Sequence, residues 1–426
     1  MLLTAASARL DVSANAKLPD LEALLWEARG RLPAWFAAQW EHTPAPLYAS
    51  VDLRHAGFKL APVDTNLFPA GFNNLHPSCH ERAVAAMHKA ITRTCPTASQ
   101  VLVVPENHTR NTYYLENLAA LLTLIRDAGF SARVGSMLPD LDAPRPLTLP
   151  SGREVLLEPL RREGERLVLD DYRPCLVMLN NDLSQGLPPI LQDLDQPVLP
   201  PPSLGWTRRT KSGHFLHYAE VAREFADWLG IDPWLIDPLS ANCGQINFQK
   251  REGLECAASN AARLLEEVAV RYEAYGIDEV KPFVMVKADA GTYGMGVMRV
   301  HEAEEIFQIN RKQRNKMASA KEGLEVTRVI IQEGVPTALR WGPAGAAAEP
   351  VIYMIDEDVV GSFYRIHEGR GSDENLNAPG MTFEPIACQT QSEADERRRH
   401  AYEVVARLAL LAAAREVAAA GAEPGA

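Results

Sequence analysis

The run 283–300, FVMVKADAGTYGMGVMRV, sets Lys287 at the end of an apolar stretch, follows it with Gly291, Gly294 and Gly296, and returns at once to an apolar stretch. Glycines let backbone N–H groups approach an anion, and a neighbouring lysine neutralises its charge. The chemistry this spacing suits is the cradling of nucleotide phosphates by a glycine-rich hairpin. It is not a P-loop, since no Gly-Lys-Ser/Thr is present, and not a Rossmann fingerprint, since the glycine order is reversed and no helix is expected after it. A plain tight turn is the alternative, but three glycines beside a strand-end lysine exceed what a turn requires.

Two further runs carry suitable groups. VIIQEGV (329–335) is an apolar strand ending in Gln332 and Glu333, which suit an adenine edge and a ribose, or else a solvent-facing strand end. The segment 349–380, EPVIYMIDEDVVGSFYRIHEGRGSDENLNAPG, leads through Arg365 and Arg370 into a loop with Asn375 and Asn377. Arginines suit bidentate contact with phosphate or carboxylate, and asparagine carbonyls suit a hard cation or polar substrate groups.

The elements that must position these groups read as α/β. Residues 18–41 predict two amphipathic helices interrupted at Pro33, and 50–74 two extended runs about a Gly57 turn. In 99–136 a buried strand, a polar loop, a helix closed by Gly129 and a second strand make a βαβ unit, whose strand ends are where ligands bind in open sheets. CLVMLNND (175–182) is another buried strand, and 196–205, QPVLPPPSLG, is linker-like. A basic turn, WTRRTKSGHF (206–215), two helical stretches, a strand-rich region over 281–366 with a charged helix at 302–323, and a helix over 390–420 complete the chain. The expected division is N-terminal helices plus hairpin (1–80), a substrate-binding lobe (81–200), nucleotide-binding lobes (201–390) and a C-terminal helix (391–426).

The 426 residues carry 43 Lys+Arg against 55 Asp+Glu, a net charge of −12, which argues against nonspecific nucleic-acid or anionic-membrane binding. With 46% hydrophobic and 23% charged residues, the chain is too apolar for a mainly disordered protein. The six cysteines form no CxxC pair and no zinc spacing, so they read as reduced thiols of a cytoplasmic protein. No stretch of about 18 apolar residues suggests a membrane span.

The run from Lys287 to Gly380 resembles the ATP-grasp superfamily, and FYRIHEGRGSDENLNAPG resembles the bacterial glutathione synthetase pattern in which a strand-end arginine leads into a glycine-rich loop. PVDTNLFPAGFNNL, PENHTRNTYYLENL, WTRRTKSGHF and VKADAGTYGMGV extend the likeness over most of the chain, to the glutamate–cysteine ligase family of iron-oxidising proteobacteria. The resemblance implies an ATP-grasp-like, multi-lobed fold that uses ATP and Mg²⁺ to join small-molecule substrates, glutamate and cysteine. It implies contact of Arg365 with the transferred phosphoryl group, puts Asn375 at the loop asparagine, and makes Lys211 the first nucleotide lysine.

ATP-grasp enzymes hold Mg²⁺ with acidic residues near the C-terminus, and nothing after residue 380 offers them. Asp52, Asp64 and Asn66 in VDLRHAGFKLAPVDTNLFPAG resemble that set, which implies a circular permutation. The rival placement is Asp356, Glu357 and Asp358, and Asp64 and Asn66 are also ordinary turn formers. At the end of the 99–105 strand, Glu106, His108, Arg110 and Asn111 could meet an amino acid, with Arg110 on its carboxylate. Glutathione synthetase, a ligase for another amino-acid pair, and a non-catalytic ATP-binding regulator remain alternatives, as does a homo-oligomer.

Overall fold

A computed structural model describes residues 8–10, 17–291, 296–318, 325–389 and 392–422. Gly294 of the glycine run lies outside the described residues. Three main sheets organise the rest.

The largest sheet is antiparallel. Ala346–Ile355 and Asp358–His367 form a long hairpin in which Glu349 faces Arg365. Along the first of these strands lies Tyr48–His55, which turns at Gly57 (φ +85°) into Leu60–Asn66. The register makes Asp52 and Asp64 direct cross-strand partners, so their side chains share one face of the sheet. That register also explains the separation of the two carboxylates in sequence: the intervening residues are the hairpin itself.

The helix Glu393–Ala422 packs on this hairpin and on the helices Leu21–Ala28 and Lys211–Leu229. From Ala401 to Ala414 it is buried almost all round, the pattern of a core helix rather than a surface one. Each fully buried leucine there, Leu408, Leu410 and Leu411, contributes about 1.5–3 kcal/mol of transfer free energy.

A second sheet is mostly parallel. Val198–Leu199, Leu176–Asn180, Gln100–Pro105, Ser131–Ser136 and Glu154–Pro159 run parallel, and Arg145–Thr148 closes the edge antiparallel. Its strands are apolar on both faces because both are covered: Leu102 and Val104 enter one core cluster, Val101 and Val103 another. The βαβ unit is Gln100–Pro105, Thr112–Asp127 and Ser131–Ser136. The linker-like 196–205 is not simply a linker, since Val198–Leu199 adds an edge strand, the position in a sheet that neighbouring prolines tolerate.

The small third sheet, Ser240–Cys243, Val329–Glu333, Val284–Ala288 and Val297–Val300, is antiparallel and backed by the helix Leu254–Tyr275. Along Val284–Ala288 the side chains alternate: Val284, Val286 and Ala288 enter the core beneath the helix, while Met285 and Lys287 face the opposite way. Two expectations change locally. The basic turn ends at Thr210, which caps a helix beginning at Lys211, and the charged helix is, among the described residues, two pieces, Glu305–Gln308 and Arg311–Ala318.

The cysteines need correction. Cys79–Cys388 and Cys243–Cys256 are disulfides, with Cα–Cα distances of 5.3 and 6.2 Å, and Cys95 and Cys175 remain thiols. The first bridge joins residues 309 positions apart, a proximity that cysteine spacing does not reveal. Among the described residues no helix is long and apolar enough to cross a membrane.

Candidate functional site

The exposed face of the small sheet looks across a cleft at the large sheet. Lining it are Asp52, Arg54, Asp64, Glu349 and Arg365 from the large sheet, Met285, Lys287 and Gln332 from the small one, Lys211 from a helix start, and Asn375 and Asn377 from the loop after residue 367. Strand alternation explains this gathering: Asp52 and Arg54, Glu349 and Arg365, and Met285 and Lys287 are each placed by a two-residue period or a cross-strand pairing.

On the large-sheet side, Arg365 grips both oxygens of Asp52 at 2.7 and 3.3 Å and donates to Glu349 at 2.6 Å. Burial lowers the basicity of the guanidinium, but Asp52 and then Glu349 raise it well beyond the ordinary arginine value, so it stays charged. Burial pushes the Asp52 carboxyl above its usual range despite Arg365, with Glu349 adding to the rise. Arg54 pairs with Glu349 at 2.5 Å and donates to the carbonyls of Ser372 and Glu374 at 3.0 and 2.8 Å, tying the asparagine loop to the sheet. Within that loop Asn375 accepts from the Asn377 N–H at 3.0 Å.

Lys211 pairs with Asp64 at 2.5 Å. Burial would raise Asp64, but Lys211, followed by Lys287 and Arg209, outweighs it and holds the carboxyl below its usual range. Lys287 donates to the Val63 carbonyl at 2.9 Å and to Gln332 Oε1 at 2.6 Å, thereby spanning the two sheets. Burial pulls its ammonium down to about 8, against the opposing effect of Asp64. Among the described residues lining the cleft, two buried donors lack a partner, Gln332 Nε2 and Arg365 Nε. A buried donor left unpaired costs about 1–3 kcal/mol, so a ligand that accepts from it is favoured.

The base of the glycine run is anchored by Asp289. Its carbonyl accepts from Lys211 N–H at 2.7 Å, and its carboxylate accepts from Ser212 N–H and Oγ at 2.8 and 2.7 Å. An acid at a helix N-terminus complements the unpaired N–H groups and the dipole there. Asp289, at the foot of the glycine run, is thereby tied to the start of the helix that carries Lys211. Gly291 lines the cleft, and Gly296 (φ +61°) is tucked beside Ala288.

Other predicted site residues are placed differently. Asn66 shares the strand face of Asp64, yet its amide closes on Phe68, accepting from N–H at 2.9 Å and donating to the carbonyl at 3.2 Å, so it serves as a turn former. Glu333 borders the cleft, but its carboxylate is buried and taken by Lys59 at 2.6 Å and by Trp234 Nε1 and Leu239 N–H, both at 3.1 Å. The acidic run 356–358 points elsewhere: Asp356 pairs with Arg93 and Lys89, and Glu357 with Lys89 at 2.5 Å.

Glu106, His108, Arg110 and Asn111 do not line the cleft. Glu106 pairs with His108 at 2.5 Å, Asn111 caps the helix Thr112–Asp127, and Arg110 is exposed. Arg370 lines an adjoining cavity instead. Among the described residues no group of three or more His, Cys, Asp or Glu is arranged to hold a metal.

Sequence reasoning missed Glu349, Arg54 and Asp289. Glu349 was findable, since two apolar strands joined by a short acidic turn place it opposite Arg365. The others had no local signal. Arg209 was also missed: it donates to the Thr65 carbonyl at 2.7 Å and is held by Glu416 of the C-terminal helix at 3.0 and 3.1 Å.

A family model described as glutamate-cysteine ligase matches residues 22–417. The chain is similar to a crystal structure, provisionally named a gamma-glutamylcysteine synthetase, from Methylobacillus flagellatus KT. Identity is 48% and the TM-score 0.89, over 97% of this chain and 99% of that one. D-alanyl-alanine synthetase A from Vibrio cholerae matches at 13% identity and a TM-score of 0.34, over 73% of this chain and 81% of that one, too distant to carry an argument. A search of curated proteins finds no match.

Proposed function

The chain belongs to the glutamate–cysteine ligase family, and we propose that the cleft between its two antiparallel sheets binds ATP and couples its cleavage to the joining of glutamate and cysteine. The observation that supports this is the convergence of Lys211, Lys287 and Arg365 on one cleft, opposite Asp52 and Asp64 and beside the glycine run.

In the proposed route a γ-carboxylate oxygen of glutamate attacks the γ-phosphorus of ATP, and the bond to the β,γ-bridging oxygen breaks as ADP leaves. The amine of cysteine then attacks the acyl carbon, the C–O bond to phosphate breaks, and the amine loses a proton. Both steps spread charge over phosphoryl oxygens. Three cations fixed in advance by Asp64, Asp52, Glu349 and Gln332 meet that charge without reorganising. The partly exposed Lys287 side chain reaches the cleft from the foot of the glycine run. Gln332 Nε2, unpaired and buried, suits an acceptor nitrogen of the adenine.

The donor set at Asp52 and Asp64, oxygen-only and on adjacent strands, fits Mg²⁺, which is commonly held by one or two carboxylates plus phosphates. These two residues would hold it, and when bound it would offset phosphate charge. Asn66 is not part of the proposed set.

The test is ADP release by purified protein with Mg²⁺, comparing glutamate alone, glutamate plus cysteine, and γ-glutamylcysteine plus glycine, with products identified by mass. Turnover that needs glutamate and cysteine together and yields γ-glutamylcysteine is the expected result. ADP release with the dipeptide and glycine only would overturn it.

A further inference from the structure

Beside the cleft lies a second cavity of about 210 Å³, sharing Met285, Val297, Glu374 and Asn375 with it. One wall is basic: Lys316 from the helix Arg311–Ala318 and Arg370 from the asparagine loop. Lys316 donates to the Val297 carbonyl at 3.2 Å and pairs with no carboxylate among the described residues. Burial, and then the like charge of Arg370, pulls its ammonium below the ordinary lysine range. Arg370 is already paired with Glu374 at 3.0 Å, so Lys316, with no carboxylate partner among the described residues, is the cation that seats an incoming carboxylate. Beside Arg299, Gln313 and Glu374, the lining includes Met285, Met298 and Met317, soft, polarisable side chains that suit contact with a thiol.

Resting on the ligase reading above, we propose that this cavity is the acceptor subsite. Cysteine places its α-carboxylate on Lys316, and its CH₂–SH against the three thioethers. Its amine faces the cleft across Asn375, where it attacks the acyl carbon and displaces phosphate. Lys316 and Met298 thereby set acceptor affinity and thiol preference.

The experiment compares wild type with Lys316→Gln, at an exposed position, and Met298→Gln, at a half-buried one. Loss of a charge-assisted contact predicts a rise of about 10- to 100-fold in KM for cysteine in Lys316→Gln, with KM for glutamate and for ATP within about twofold. Met298→Gln lowers the preference for cysteine over serine by about tenfold. A selective rise in KM for glutamate, or no change in any KM, overturns the proposal.

Should wild type show no turnover with glutamate and cysteine, the ligase reading fails separately, and binding decides the subsite. Thermal stabilisation of the ADP-bound protein by cysteine, absent in Lys316→Gln, would sustain it. No stabilisation of wild type by any thiol amino acid would end it.

Discussion

Replacing Lys287 with methionine separates what this residue does for the fold from what it does for the ligand. In the cleft its ammonium is pulled from 10.5 down to about 8, mainly by burial. Below pH 8 the lysine is charged in both folded and unfolded chains, and the folded state bears the cost of the buried charge. At 1.36 kcal/mol for each tenfold change, that cost is at most about 3 kcal/mol, and water at the cleft mouth reduces it. Methionine also forfeits the two hydrogen bonds to Val63 and Gln332, worth about 1 kcal/mol each.

The net expectation is a variant about 1 kcal/mol more stable at pH 7. Between pH 8 and 10.5 the unfolded wild-type chain binds more protons than the folded one, so wild-type stability rises with pH there. The advantage of the variant therefore shrinks by up to about 1.4 kcal/mol per pH unit above 8 and reverses near pH 9 to 10. Urea unfolding of the ligand-free proteins from pH 6.5 to 9.5 measures the difference, and calorimetric titration with ATP measures the expected loss of affinity, about tenfold or more. A stability difference that does not vary with pH, or an unchanged ATP affinity, would refute the assignment of a half-buried, phosphate-facing ammonium.

Asp64→Asn should lower turnover at least about 100-fold by removing a proposed metal ligand. Glu357→Gln, in the rival acidic run, should leave steady-state rates within about twofold. Lys59→Met strands the buried Glu333 carboxylate and should cost about 3–5 kcal/mol, read as a fall in the urea midpoint. Adding Glu333→Gln to that variant should recover most of the loss, since both charges are then gone; failure to recover would mean the pair is not the source. Arg365→Lys keeps the charge but not the fork that spans Asp52 and Glu349, and should reduce kcat by about tenfold or more while leaving KM for cysteine unchanged.

Much of the cleft was legible in the sequence, because Lys287 with its glycines, Arg365 with its asparagine loop, and Asp52 with Asp64 each sit in one short run whose strand period decides which way they face. The partners that hold them were not. Glu416 reaches Arg209 from 207 positions away, and Asp289 meets Ser212 across 77, so no local pattern announces either contact. Asn66 and Glu333 were misplaced for the opposite reason. The residue types that suit a ligand are the same ones that close a turn or complete a buried ion pair, and only packing distinguishes the two. The parallel-sheet strand end at Glu106 followed a sound rule for open sheets, but here the cleft is formed by the two antiparallel sheets.

The hold of Glu416 on Arg209, and of Arg209 on the Thr65 carbonyl beside Asp64, also bears on how the protein is made. The carboxylate hairpin leaves the ribosome early, whereas its clasp arrives 351 residues after Thr65. At about 5–20 residues per second, the hairpin waits roughly 20 to 70 s before it can be locked. Until then Asp52 and Asp64 lack the C-terminal helix packed on their strands, so a stalled or prematurely stopped chain leaves the hairpin unclasped. Translation order thus withholds the clasped site until the chain has been made through Glu416.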